Sequence, residues 1–370
     1  MNSVDTKPEP AAQEPALKVE QIKEHKLPTA VLALDATGDG QRLFAACLDG
    51  GIYQVDADSG NLEQIGKHES YASGAWLLTQ SNILITAGYD GALQWHALAA
   101  RKLVRKVQAH KFWSWQMAVA PDENLVATVT GQYLAGGYKY EPAPEQEPSV
   151  KVFDAQTGEL RHSFTHGPPV LSAAFSPDSR FLAAANMMGE VRVWDVANGQ
   201  QRAAWTTPDF TSWGIIKSHH YCGGIFALAF TPDGNELLLA GMGPMRDPMA
   251  GNGKQTWQRF AWSENPPRKT GEIDDGVRGN GLMERIEFEP SKKFFLMAGR
   301  MAQGKWNVAF FESASGKLIH SLDTKMRVTG AVFSADGARL ILSGAIGQQK
   351  KKDGKYPEFG RIKVFQSLMG

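Results

Sequence analysis

The sequence predicts an all-β chain folded as a closed, seven-bladed β-propeller with four antiparallel strands per blade. Three observations carry this. Histidines recur in similar contexts at His25, His68, His110 and His166, with gaps of 43, 42 and 56 residues, the last being one repeat plus an insertion. Each is followed by an apolar strand, a turn, a second apolar strand and then a second hairpin, so one period of ~42 residues holds four strands. The last unit has only three strands before the chain reaches Gly370, whereas LKVEQIKEHK (17–26) has a fourth-strand pattern. Pairing it beside 361–366 closes the ring and covers an edge that otherwise invites aggregation.

Taken in order, residues 1–16 are rich in Pro, Glu and Ala and are expected to form a disordered tail. Residues 17–370 are expected to form one domain, with blades at about 27–66, 67–108, 109–165, 166–206, 222–274, 280–323 and 326–366 plus 17–26. First strands fall near 29–34, 72–78, 114–119, 170–175, 225–230, 283–288 and 328–333. The turns that follow include SPDSRF (176–181), TPDGNE (231–236) and SADGAR (334–339), whose Pro, Asp and Gly suit tight reversals. A second hairpin begins at LDGGIYQVD (48–56), YDGALQWH (89–96) and MGEVRVWD (188–195), and VKVFD (150–154) and IKVF (362–365) are the same third strand after longer loops. Fourth strands read GELRHSF (158–164), GQQRAAW (199–205) and GKLIHSL (316–322), each entered through Gly.

Composition fits a globular repeat protein. Hydrophobic residues make up 42% and charged residues 21%, and 39 basic residues balance 39 acidic ones. Global charge therefore names no partner, and disfavours nucleic acid. Cys47 and Cys222 lack metal-type spacing and imply no disulfide framework. No apolar run approaches the ~18 residues of a membrane span. The N-terminus lacks the basic start and apolar stretch of a signal peptide. Together these lean towards a cytoplasmic protein, with an exported form whose signal has been removed left open.

The segment PVLSAAFSPDSRFLAAANMMGEVRVWDVANGQQRAAW (169–205) resembles a WD repeat along its whole length, with Trp194-Asp195 as the naming dipeptide, and the resemblance extends over about 19–366. It implies the propeller fold and says little of function, since propellers host many activities. It also implies a structural network of an interblade histidine, a Ser/Thr, a turn Asp and a Trp. His68, Thr86, Asp90 and Trp95 approximate this set, with a gap of five residues between Asp90 and Trp95 against six between Met188 and Trp194. Blade four has Met188 where the turn Asp would stand.

The insertions are the strongest functional signal. Loops after second and fourth strands open on one face, and nearly every insertion falls there: 131–148, 206–224, 241–255, 274–281 and 345–360. Neutral growth would scatter over both faces, so a binding surface is expected on the loop-rich one. Aromatic and Arg residues are the usual anchors of interfaces. Tyr71, Trp113, Trp213, Arg278, Arg300 and Arg327 are the expected partner contacts around the channel mouth. Stretches of blades five to seven carry nine basic residues against three acidic ones, while the loop at 131–148 holds one against three, so a partner with an acidic segment would be steered to one side.

Chemistry is sparse. The phased histidines each fall between blades and cannot converge on a metal. His219, His220 and Cys222 are metal-capable types in one loop, but no fourth ligand is evident. GNGKQT (251–256) lacks the Ser/Thr after Lys254 that a phosphate loop needs. No cofactor is expected. The reading is a non-catalytic scaffold for a protein or peptide; the alternative is a propeller enzyme or metal-binding protein using the 206–224 loop and channel mouth.

Overall fold

The structure, a computed structural model, describes residues 17–132, 144–210, 223–243, 253–273, 279–347 and 357–369. It is a seven-bladed β-propeller: seven four-stranded antiparallel sheets, six of them built from consecutive strands. The seventh is completed by the N-terminal strand Leu17–Leu27, which pairs with the C-terminal strand Gly360–Met369 from Leu17↔Met369 to Leu27↔Gly360. Glu24 on this closing strand lies 3.1 Å from the Arg361 guanidinium and 3.2 Å from Lys363 Nζ. The expected tail, 1–16, lies outside the described residues.

Burial explains the ring. Each blade alternates side chains between its two faces, and neither face can be left in water. The apolar residues accordingly gather into seven clusters, one at each blade-to-blade interface, including the closing interface of blades seven and one. A repeat of this kind is stabilised by its neighbours rather than by a centre of its own. The only helical turn among the described residues is Pro208–Phe210, and no described helix is long and apolar enough to cross a membrane.

The first hairpin of blades one, four, five and seven is locked by one recurring motif. In blade four the Ser176 hydroxyl donates to Asp178 (2.6 Å) and accepts from the Phe181 amide (2.9 Å), while Asp178 accepts from the Arg180 amide (3.1 Å). Thr231 with Asp233 and Ser334 with Asp336 repeat it in blades five and seven. Thr37 and Asp39 do so in blade one, where the sequence carries no Pro. The left-handed residue of the turn is Gly234 (φ 75°) or Gly337 (φ 71°) in some blades but Ser179 (φ 60°) in blade four.

The histidine phasing needs one correction. His68, His110 and His166 are buried four residues before the Ala72, Ser114 and Val170 positions of their inner strands, and each turns Nε2 toward its own second strand. The corresponding residue of blade one is Leu27, not His25. His25 instead sets Nε2 2.7 Å from the Ala57 carbonyl, as His162 does 2.7 Å from that of Val196. His25 thus belongs to the closing strand's contacts with the next blade. In blade seven the position is Thr324, which with Asn307 forms a buried polar cluster: Asn307 Nδ2 donates to Gly299 O (3.0 Å) and Met326 O (2.6 Å), and its Oδ1 accepts from the Thr324 amide (2.8 Å).

The polar set anticipated around His68 is also altered. His68 Nδ1 lies 3.0 Å from Asp90, and its Nε2 2.9 Å from the Thr86 hydroxyl. Trp95 stands apart from them: its indole donates to the Ala155 carbonyl of blade three at 2.7 Å. The gap of five residues from Asp90 rather than six puts the neighbouring residue, His96, beside Thr86 instead (3.2 Å) and turns Trp95 to the opposite face of the sheet. In blade four, Asn186 does the work of the missing turn Asp, accepting from the Met188 and Glu190 amides at 2.9 Å each.

Candidate binding face and axial channel

The long loops all leave one end of the ring. They connect strands ending at Thr130, Met242 and Ala345 to strands beginning at Val150, Gln255 and Gly360, and strands ending at Thr206 and Glu272 to those beginning at Gly224 and Asn280. The root of the blade-three loop is pinned by Gln132, wholly buried, whose amide group donates to Glu147 O (2.7 Å) and Ser149 Oγ (2.9 Å) and accepts from the Gln146 amide (2.7 Å).

At this end Tyr71 and Trp113 come together through Tyr89. Tyr89 lies 5.3 Å from Tyr71, 6.2 Å from Trp113 and 5.9 Å from Trp115, and Trp115 lies 6.3 Å from Phe226. Tyr71 remains 45% exposed. Trp113 is half-buried and lies over Gly131, where a Cβ would meet the indole nitrogen at 2.0 Å. Burial pushes the Tyr89 hydroxyl up to about 12, although Arg327 nearby opposes this. Arg327 is not a free cation: it grips Glu284 through two bonds of 2.6 Å each. Arg300 is exposed. Trp213 and Arg278 lie outside the described residues, as do His219, His220 and Cys222. Among the described residues no group of three His, Cys, Asp or Glu could hold a metal ion, and Cys47 is a buried free thiol whose ionisation burial disfavours.

Tyr89, Trp115 and Phe226 were not anticipated. Tyr89 had a readable signal, since it directly follows a second strand and so emerges on the loop-rich face. Trp115 and Phe226 owe their place to a device that strand periodicity hides. All seven inner strands carry a bulge at one equivalent position, which skips Leu32, Ser73, Trp115, Leu171, Phe226, Glu284 and Thr329. A bulged residue drops out of the ladder and is re-aimed. All seven line one narrow cavity of about 80 Å³ at the waist of the axial channel, with Tyr89 and Arg327. Hydroxyls stitch this waist across blades: Ser73 donates to Ser114 O (2.7 Å) and Thr329 to Val31 O (2.5 Å).

Below the waist the channel widens to about 660 Å³ and is lined by all seven inner strands and their short turns. Ser73, Gln116, Glu284 and Arg285 border both spaces. The lower space therefore belongs to the face opposite the long loops.

Comparison with known proteins agrees with the architecture. The model of the WD domain, G-beta repeat, matches residues 158–195. An uncharacterized WD repeat-containing protein of Deinococcus radiodurans is 25% identical over 217 residues, covering 55% of this chain and 76% of that protein. WD repeat-containing protein SL1-17 of Schistosoma mansoni is 24% identical over 183 residues, 49% of this chain and 54% of its own length. WD repeat-containing protein 1 of Xenopus tropicalis is 24% identical over 212 residues, 57% of this chain but 30% of that protein.

Proposed function

We propose that this chain, a member of the WD-repeat β-propellers, is a non-catalytic scaffold that holds a protein or peptide on its loop-rich face. The observation that carries the reading is the aromatic cluster of Tyr71, Tyr89 and Trp113 on the end of the ring from which the long loops leave. An exposed Tyr beside a half-buried Trp offers large apolar area at low entropic cost, as interface anchors do. Arg300 adds an exposed cation for an acidic segment of the partner. Arg327 acts differently: bound to Glu284, it presents a neutralised pair at the floor of the mouth.

The test is a pull-down with the wild-type chain against a variant carrying Tyr71→Ala, Trp113→Ala and Arg300→Ala, after both are shown to fold. Arg327 is left in place because its loss would strand Glu284. A partner kept by the wild type and lost by the variant supports the reading. Once a partner is in hand, Trp113→Ala alone should weaken it by about 2 kcal/mol; unchanged binding by the triple variant removes this face from consideration.

A further inference from the structure

The lower chamber stands apart from the loop-rich face and has its own chemistry. Its volume of about 660 Å³ falls within the range of small-molecule pockets. Its walls are largely apolar, and one aromatic is left unsatisfied: Trp76, on the inner strand of blade two, is 38% exposed although it lines the chamber. Two carboxylates line it. Asp35, on the inner strand of blade one, accepts the Leu77 amide at 2.6 Å. Glu287, on the inner strand of blade six, is half-buried against the chamber; the Arg285 charge acts on it, but no hydrogen bond or ion pair reaches its carboxylate among the described residues.

The other charged groups around the chamber compensate this only in part. Glu284 is neutralised by Arg327. Glu289 is used by the Ser291 amide and hydroxyl at 2.7 and 2.6 Å. Arg285 borders both spaces; its guanidinium donates to the Glu284 carbonyl at 3.0 Å, and its charge partly offsets the effect of burial on Glu287. Lys292 is exposed on a turn at the rim, and Glu123 adds a distant negative charge to the Asp35 side. A half-buried carboxylate that accepts no hydrogen bond is costly unless something supplies a donor.

We propose that the lower chamber is a binding site for an organic cation, a protonated amine carried on an apolar stem, with Glu287 and Asp35 receiving the ammonium group and Trp76 packing against the stem. An ammonium group offers three donors and a point charge to the carboxylates, and the indole face attracts a cation or covers its apolar stem. Because burial raises the carboxyl groups to about 7 for Asp35 and about 8 for Glu287, both take up protons near neutrality. A cation that enters must displace them, so binding releases protons and strengthens with pH until the carboxylates ionise unaided. The same chemistry can come as a free amine or as a lysine side chain.

The experiment uses the full chain and three probes: phenylbutylamine, its neutral counterpart phenylbutanol, and Nα-acetyl-lysine methylamide. Binding is followed by calorimetry in two buffers of different ionisation enthalpy, between roughly pH 6 and pH 9, where the probe amines remain charged. The expected result is binding of an amine but not the alcohol, proton release on binding, and affinity rising by up to about tenfold per pH unit while one carboxyl titrates. Binding by the lysine probe alone assigns the cation to a lysine side chain, and binding by phenylbutylamine alone to a free amine. Glu287→Gln should weaken the amine by about tenfold while the chain stays folded. Equal binding of amine and alcohol, binding without proton release, or no binding of either amine overturns the proposal. The first comparison needs no variant, so a misfolded Glu287→Gln would not protect it.

Discussion

Asp90→Ala is the sharpest test of how the propeller's polar network holds blade two in place. The Asp90 carboxylate is nearly buried and accepts from three donors: His68 Nδ1 at 3.0 Å, the Glu69 amide at 3.1 Å and the Ala92 amide at 3.1 Å. Glu69 is exposed, so water can replace the carboxylate at that amide. His68 and Ala92 are buried, and their donors are left without an acceptor. Each stranded buried donor costs about 1–3 kcal/mol, so the substitution should destabilise the fold by about 3 kcal/mol. The pH dependence follows from the carboxyl's titration. Desolvation raises it, but the His68 hydrogen bond and charge and the two backbone amides outweigh this and hold it below the usual carboxylate range. A depressed carboxyl gives stability that is present above its unfolded value of ~3.9 and is lost as pH falls through the folded one. Urea unfolding followed by tryptophan fluorescence should therefore show the full deficit at about pH 7 and a narrowing one toward pH 3. A loss below about 1 kcal/mol at neutral pH, within reach of an ordinary exposed substitution, would refute the argument. So would a deficit independent of pH.

Three further outcomes are expected. Asp35 and Glu287, raised to about 7 and about 8, bind protons more tightly in the folded chain; their contribution is present below their unfolded values of ~4 and declines as pH rises toward 8, by up to about 1.4 kcal/mol per unit for each group. The double variant Asp35→Asn, Glu287→Gln should flatten that decline in denaturant titrations, and an unchanged slope would show that neither group titrates there. Trp95→Phe removes the indole donor to Ala155 O, and should cost about 1–3 kcal/mol in urea unfolding; a neutral effect would mean that the bond between blades two and three is dispensable. Gly131→Ala should displace Trp113, whose indole nitrogen would lie 2.0 Å from the new Cβ, and so reproduce the loss of partner binding caused by Trp113→Ala while leaving the propeller folded; retained binding would detach Trp113 from the interface.

Much of the architecture was legible because it is written in local pattern. Apolar alternation placed the strands, and turn residues such as Asp178, Asp233 and Asp336 marked the first hairpins by bonding their own backbone. The closing strand was legible by subtraction, from a last blade one strand short. The histidine phase is less regular than its spacing. His25 shares the spacing of His68 but sits on the closing strand, and spacing alone cannot tell an interblade position from a strand position two residues away. The Trp95 error has a similar root. One residue fewer after the turn moves every following side chain to the other face of the strand, so an identity matched by eye can be a mismatch in space.

The candidate sites were legible in proportion to how far they depend on chain-local features. Loop lengths pointed to one face, and on it Tyr71 and Trp113 both pack against Tyr89. The channel interior is different, because it is made by seven residues that no stretch of sequence connects. Leu32, Ser73, Trp115, Leu171, Phe226, Glu284 and Thr329 share no chemistry, and their common place comes from a bulge repeated in every blade. The bulge also shifts the alternation below it, and so decides which residues of each inner strand line the wide lower chamber. Glu287 and Asp35 would read as ordinary strand residues with charged side chains toward solvent. In the ring they face a space enclosed by the other blades, where a carboxylate acquires the raised affinity for protons that an exposed strand would never give it. The fold therefore offers two candidate surfaces: the loop-bearing end, which loop length marks in the sequence, and the axis, which appears only when the seven inner strands are brought together.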